Sequence, residues 1–142
     1  MIPQKARYAV KALQYLADHY ECGTVHLSEI VKDQKIPTKF LTVILAEMRR
    51  HDIVTAQRGP NGGYRLARPP SEIRYSEAIR SSGASLSLMP CANREAYKAC
   101  EHCVPETCRF RSLMLCVYDQ TLKMLDALTL ADSIPLLPAQ TS

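Results

Sequence analysis

A chain of 142 residues, 46% hydrophobic and 23% charged, is long enough to bury a core without cross-links, so its six cysteines are not needed as staples. No stretch approaches the apolar length of a membrane span, and Met1-Ile2-Pro3-Gln4-Lys5 lacks the apolar region and cleavage site of a secretory leader; a soluble protein of the reducing cytoplasm, without a membrane partner, is expected. The formal charge of +4 is uneven: residues 1–70 carry eleven Lys/Arg against six Asp/Glu and residues 71–142 seven against eight, so any basic surface that attracts phosphate lies in the N-terminal half.

From Pro3 onward, Ala9, Ala12, Leu13, Leu16 and Tyr20 recur at helical spacing until Glu21-Cys22-Gly23 supplies a stop. Leu27 to Gln34 reads as a short second helix with Leu27, Ile30 and Val31 inward, ended at Lys35-Ile36-Pro37 because proline forbids a continuous helix. A third helix is predicted from Thr38 to about His51. Its inward stripe is Phe40, Leu41, Ile44, Leu45 and Met48, and its outer face carries Lys39, Thr42, Val43, Ala46 and Arg50. Two short helices at a tight turn, the second basic outside, fit a helix-turn-helix. The period then changes. Ile53 to Arg58 and Tyr64 to Ala67 read as short strands around Gly59-Pro60-Asn61-Gly62-Gly63, a hairpin whose glycines and asparagine permit positive φ. The expected fold is mainly α with a small β-wing: a winged helix-turn-helix over residues 1–75, then a cysteine-rich loop and a long dimerisation helix over residues 76–142.

Pro69-Pro70 marks the boundary, after which Ser76 is placed as the cap of a short helix, Glu77 to Ser82, closed by Gly83. Residues 84–108 lack periodicity and contain the spacing Cys91-x8-Cys100-x2-Cys103-x4-Cys108. Thiols so dense in a loop are rarely packing residues. Four thiolates suit a tetrahedral zinc site or an iron-sulfur cluster, and spacing alone favours zinc; a metal-free thiol switch is the third reading. Phe110, Leu113, Met114, Val117, Thr121, Met124, Leu125 and Leu128 then repeat at three and four residues, an amphipathic stripe expected to pair with a second copy of the chain. Of the other cysteines, Cys22 reads as a surface thiol and Cys116 as a small packed residue; the tail from Pro135 is expected to be loose. No catalytic constellation appears: His19, His26, His51 and His102 are scattered, and no phosphate-binding loop or nucleophile elbow is present. An electron carrier would account for the cysteines and leave the helix-turn-helix and wing unused.

Lys5-Ala6-Arg7-Tyr8-Ala9-Val10-Lys11-Ala12-Leu13, Arg58-Gly59-Pro60-Asn61-Gly62-Gly63-Tyr64-Arg65-Leu66 and Leu128-Thr129-Leu130-Ala131-Asp132 together resemble the IscR/NsrR/RirA family of winged-helix iron-sulfur regulators. The resemblance implies a homodimeric transcription factor, expected to act as a repressor on a near-palindromic double-stranded DNA operator. It also reverses the order of the metal readings, putting a 2Fe-2S or 4Fe-4S cluster ahead of zinc. Carried over by position, it implies Cys91 and Cys108 as the first and last ligands; of the two thiols between them, Cys103 sits closest to the family's middle position and Cys100 is additional. Arg111 stands where one group of the family has a histidine ligand, and Tyr8 or Arg7 where another has an aspartate, which points to Cys100 as the fourth ligand, ahead of His102. For DNA, Thr38, Lys39, Thr42 and Val43 are expected to meet base edges, Val43 through a thymine methyl. Arg58, with Gly59, Asn61 and Gly62 shaping the wing, matches the family's groove-contacting arginine. Lys5, Arg7, Lys11 and Arg50 are expected to contact phosphate.

Overall fold

A computed structural model describes residues 3–138. Helix α1 spans Gln4–Asp18, with Pro3 as its N-cap residue in extended conformation, one position outside the helix. Its buried face is Ala6, Ala9, Ala12, Leu13 and Leu16. The alanines leave room for neighbouring helices to approach, and the leucines fill the space between them. One turn of 3-10 helix, Tyr20–Cys22, follows.

Helix α2, Leu27–Gln34, begins where the His26 amide donates to the Glu29 carboxylate at 2.8 Å, satisfying one of the donors a helix start leaves free. It ends at Lys35, whose φ of 53° turns the chain out of the helix, and buried Ile36 fills the turn before Pro37. Helix α3, Thr38–Arg50, follows at once and buries Leu41, Ile44, Leu45 and Met48. Phe40 departs from the expected inward stripe: it is 54% exposed and lies beside Tyr8, ring centroids 6.1 Å apart. Its position at the edge of the buried face puts it past the last neighbour able to cover it.

Strands β1, Val54–Gln57, and β2, Gly63–Leu66, pair antiparallel with Val54 opposite Leu66 and Gln57 opposite Gly63. Val25 adds a third, single-residue rung that the sequence does not announce: its amide donates to the Tyr64 carbonyl at 2.8 Å and its carbonyl accepts from the Tyr64 amide at 2.7 Å. The wing is thereby tied to the segment that leads into α2.

After one 3-10 turn, Pro70–Glu72, helix α4 covers Tyr75–Ser81 and Gly83 closes it with φ 77°. Ser76 is not its cap. Arg74 occupies that position, while Ser76 is buried inside the helix and donates its hydroxyl to Asp126. The short helix starts earlier than expected because the Tyr75 ring sinks into the core and carries the first turn with it.

Helix α5, Arg109–Ala127, packs on α4 and the start of α1 through a buried cluster of Ala6, Ile79, Leu86 and Tyr118, with Leu122 and Leu125 against it. The segment after α5 returns to the start of α4: the Leu128 carbonyl accepts from the Tyr75 amide at 2.9 Å and the Leu130 amide donates to the Ile73 carbonyl at 3.0 Å. Ile73, Tyr75, Ala78 and Leu130 therefore share one core with α1, α3 and the sheet. Full burial of each large side chain there, such as Leu13, Ile44 and Ile73, contributes about 1.5–3 kcal/mol. Among the described residues no helix is long and apolar enough to cross a membrane. The last four residues of the tail lie outside the described part.

Candidate nucleic-acid interface and thiolate loop

The solvent-facing side of α3 carries Thr38, Lys39, Thr42, Val43, Ala46 and Arg50, all exposed. Thr42 donates its hydroxyl to the Thr38 carbonyl at 2.8 Å, which engages the proton locally, and the next residue, Val43, is 52% exposed. Methyl groups there suit thymine methyls in a major groove. Arg50 pairs with Glu47 at 3.2 Å in an exposed contact, worth about 0–1 kcal/mol and readily exchanged for a phosphate. Flanking α3, a cavity of about 390 Å³ is lined by Tyr8, Phe40, Val43 and Ile44 with the stems of Lys5 and Lys39.

The wing projects Arg58 into solvent just after β1. Its shape depends on close backbone approach. A Cβ on Gly62 would lie 2.2 Å from the Gln57 carbonyl oxygen, and the Asn61 carbonyl accepts from the Thr24 hydroxyl at 3.0 Å. Lys5 and Arg7 are exposed on the first turns of α1, Arg7 donating to Gln4 at 3.0 Å. Lys11 does not stand with them. It is half-buried, and its ammonium donates at 2.6 Å to the carbonyl of Gln34, the last residue of α2, where the helix dipole and a free carbonyl favour a cation. The ammonium expected at phosphate is engaged here in a structural contact.

On α5 the stripe divides in two. Phe110, Leu113, Val117 and Met124 are 57%, 55%, 36% and 66% exposed, an apolar face left uncovered among the described residues. Leu125 and Leu128, expected in the same interface, instead pack against the chain's own core, and Met114 is half-buried between the two faces. Tyr118, which the stripe omits, is the residue of α5 that is buried. Cys116 is exposed instead of packed, and Cys22 is exposed as expected.

The loop before α5 has no long element, and polar contacts hold it down. Arg94 makes two 2.7 Å bonds to the Asp119 carboxylate, lowering that acid's pKa, and Arg80 reaches Glu95 at 3.0 Å. Cys91 is buried in a 3-10 turn, Pro90–Ala92; Cys103 and Cys108 are half-buried; Cys100 is exposed, its thiol 3.5 Å from the Glu101 carbonyl. His102 makes the turn between Cys100 and Cys103, with φ 61°.

Cys108 is the N-cap residue of α5, and its sulfur accepts from the Arg111 amide at 3.3 Å. That bond, then a hydrogen bond from the Cys103 thiol, lowers the Cys108 pKa. Cys103 is raised in turn, first by its hydrogen bond to Cys108, then by burial and by the charges of Cys108, Cys100 and Cys91. Cys103 and Cys108 are thus shifted in opposite directions, and the charges of Cys91 and Cys100 add to the rise at Cys103. Arg111 joins the outer ends: its Nε donates to the Cys91 carbonyl at 2.8 Å while its guanidinium lies 5.5 Å from the Tyr97 ring centre. Position alone marked Arg111 in the sequence, and nothing there announced these contacts.

Soft thiolates on one loop suit iron-sulfur ligation in chemistry. Among the described residues, no three His, Cys, Asp or Glu side chains converge on a point that could hold a single ion. A tetrahedral zinc site needs all four sulfurs within about 4 Å of one another, whereas a cluster spreads its ligands over several irons.

A basic recognition helix, a wing with an exposed arginine and a thiol-rich loop on the helix that follows define a winged-helix DNA-binding regulator. The chain belongs to the Rrf2 family, whose profile, described as an iron-dependent transcriptional regulator, matches residues 2–135. It is 36% identical over 138 residues, 94% of this chain and 92% of the relative, to an HTH-type transcriptional regulator described as rrf2-like from Rhodobacter capsulatus. To the HTH-type transcriptional regulator IscR of Photorhabdus laumondii it is 33% identical over 103 residues, 72% of this chain but 63% of that longer relative. Among solved structures, T. potens IscR superposes with a TM-score of 0.72 at 28% identity, over 93% of this chain and 84% of that one. CymR, the global cysteine regulator of B. subtilis, gives 0.73 at 25% identity, over 92% of each. The protein is a transcriptional regulator, and its relatives are regulators and not enzymes.

Proposed function

We propose that this regulator works as a homodimeric repressor in the cytoplasm and senses iron, redox state or nitric oxide through an iron-sulfur cluster held by Cys91, Cys103 and Cys108, with Cys100 as fourth ligand. Residues 1–75 read DNA in this division of labour and residues 76–142 sense and dimerise. The observation that carries the reading is where the thiols sit: Cys108 caps α5, and the opposite side of that helix is the uncovered stripe of Phe110, Leu113, Val117 and Met124. A cluster would supply a redox- and ligand-sensitive charge at that helix end. The residues do the rest. The amides at the start of α5 stabilise negative charge on Cys108, Cys91 stays out of water, and a change in either end of the loop reaches the helix that sets the distance between two recognition helices. On DNA, Lys39, Thr42 and Val43 read base edges and Arg58 enters the adjacent groove, while Lys5, Arg7 and Arg50 position the backbone.

The test is anaerobic purification followed by iron and sulfide analysis, visible absorption and footprinting. Coloured protein that bleaches with nitric oxide and changes its occupancy of a defined near-palindromic site is expected. Stoichiometric zinc in colourless, iron-replete preparations would overturn the cluster. Cys100→Ala is expected to make the cluster labile; unchanged stability would assign the fourth ligand to another group, with His102 the next candidate.

The opposed shifts of the neighbouring thiols, Cys103 raised and Cys108 lowered, favour a second reading, a metal-free thiol switch. The lowered thiol would be oxidised first and the neighbour would resolve it, peroxide being reduced to water as one disulfide forms. Peroxide-dependent DNA release by metal-free protein, lost in Cys103→Ser, distinguishes it.

A further inference from the structure

We propose that Arg111 is a positioning residue that clasps the thiolate loop shut, holding its first cysteine against the helix that its last cysteine caps. This rests on the reading of the loop as the sensing site, and it concerns the order of the ligands and not their identity.

The loop between Cys91 and Cys108 is long, has only single turns of helix, and must pay chain entropy to keep its ends together. One residue touches both ends. The Arg111 backbone amide donates to the Cys108 sulfur at 3.3 Å, and its side-chain Nε donates to the Cys91 carbonyl at 2.8 Å. The remaining guanidinium faces Tyr97, ring centre 5.5 Å away, in the middle of the loop. The side chain, half-buried at the first turn of α5, therefore gathers the start and the middle of the loop onto the residue whose backbone amide already holds its end.

The other tethers act elsewhere. Arg94–Asp119 and Arg80–Glu95 fix the stretch just after Cys91 to α5 and α4, and none of them reaches a cysteine. Among the described residues no other side chain on α5 bonds the Cys91 carbonyl, so removing the Arg111 contact is expected to open Cys91, only 4% exposed, to solvent.

The chemistry of the guanidinium decides between two versions of this role. A planar group with several directed donors can bond a carbonyl through Nε and still lie over an aromatic face. A lysine ammonium keeps the charge near Cys108 but is a point donor on a flexible stem, and it cannot make both contacts in the same geometry. If charge were the function, lysine would serve. The clasp requires arginine.

The experiment uses the full-length protein in two states. In metal-free, reduced protein the alkylation rate of Cys91 by N-ethylmaleimide is read by mass spectrometry against exposed Cys22 as internal standard. Losing a charge-assisted hydrogen bond is expected to raise the Cys91 rate about tenfold in Arg111→Met and in Arg111→Lys alike, with the Cys22 rate unchanged. Tyr97→Leu, which leaves α5 intact, is expected to shift the rate in the same direction. In reconstituted protein, loss of iron to a chelator is expected to accelerate by a similar factor in both Arg111 variants. A wild-type Cys91 rate in Arg111→Met would overturn the clasp, and wild-type behaviour in Arg111→Lys would overturn the two-contact geometry in favour of charge alone. Failure of the protein to take up iron would refute the cluster reading and leave the alkylation result standing by itself.

Discussion

Gly63→Ala tests how the wing is anchored. Gly63 has φ +147°, and an added Cβ would stand 2.4 Å from the Val25 carbonyl oxygen, 2.7 Å from its carbon and 3.1 Å from the His26 nitrogen. These are backbone atoms with no rotamer to yield, so the strand must move off Val25. Moving it breaks the two Val25–Tyr64 hydrogen bonds of 2.8 and 2.7 Å, each worth about 0.5–1.5 kcal/mol net. The left-handed backbone adds about 1–3 kcal/mol of strain for a residue with a side chain. The expected loss is about 2–6 kcal/mol, a large share of the roughly 5–15 kcal/mol that holds a domain of this size. Gly23→Ala is the control: its φ is +83° but nothing lies within 4 Å of the new atom, so only the backbone term of about 1–2 kcal/mol remains. Urea unfolding measures both, and hydrogen exchange at the Val25 and Tyr64 amides reports whether the rung has opened. Equal costs for the two variants, or unchanged protection at Val25, would refute the anchoring argument.

The two faces of α5 separate in the same way: Tyr118→Ala is expected to cost about 3–5 kcal/mol in thermal or urea unfolding, whereas Leu113→Glu should leave monomer stability nearly unchanged and abolish dimers in sedimentation. Lys11→Met is expected to destabilise by about 1.5–3 kcal/mol with no change in the salt dependence of DNA binding, while Lys39→Ala flattens that dependence by about one charge unit at little cost in stability. Arg58→Ala is expected to relax sequence preference by about 1–3 kcal/mol in competition binding. In metal-free protein Cys108, lowered first by the Arg111 amide, should alkylate at lower pH than Cys103, raised first by its bond to Cys108. The signs for stability follow: the Cys108 contribution is present above the unfolded thiol pKa and lost as pH falls through its lowered value, and the Cys103 contribution is present below the unfolded pKa and lost as pH rises through its raised value, both read from unfolding of Cys→Ser variants against pH.

Local chemistry was enough for the elements themselves. Leu27 to Gln34 is a helix because its apolar spacing and the Pro37 stop admit little else, and Gly59 to Gly63 turn back because few other residues accept those angles. The thiolate spacing was legible for the same reason, being a property of the chain. What surrounds each side chain was not. The period of α5 identifies an apolar helix, but its apolar residues span two adjacent faces, and only the packing of α1 and α4 decides that Tyr118 and Leu125 are covered while Leu113 and Val117 stay open. Lys11 looks like any exposed base until α2 ends beside it, and Arg111 like any helix residue until Cys91 arrives from the far end of the loop. A side chain's role depends on partners distant in sequence, and the folded chain alone brings them within hydrogen-bonding range.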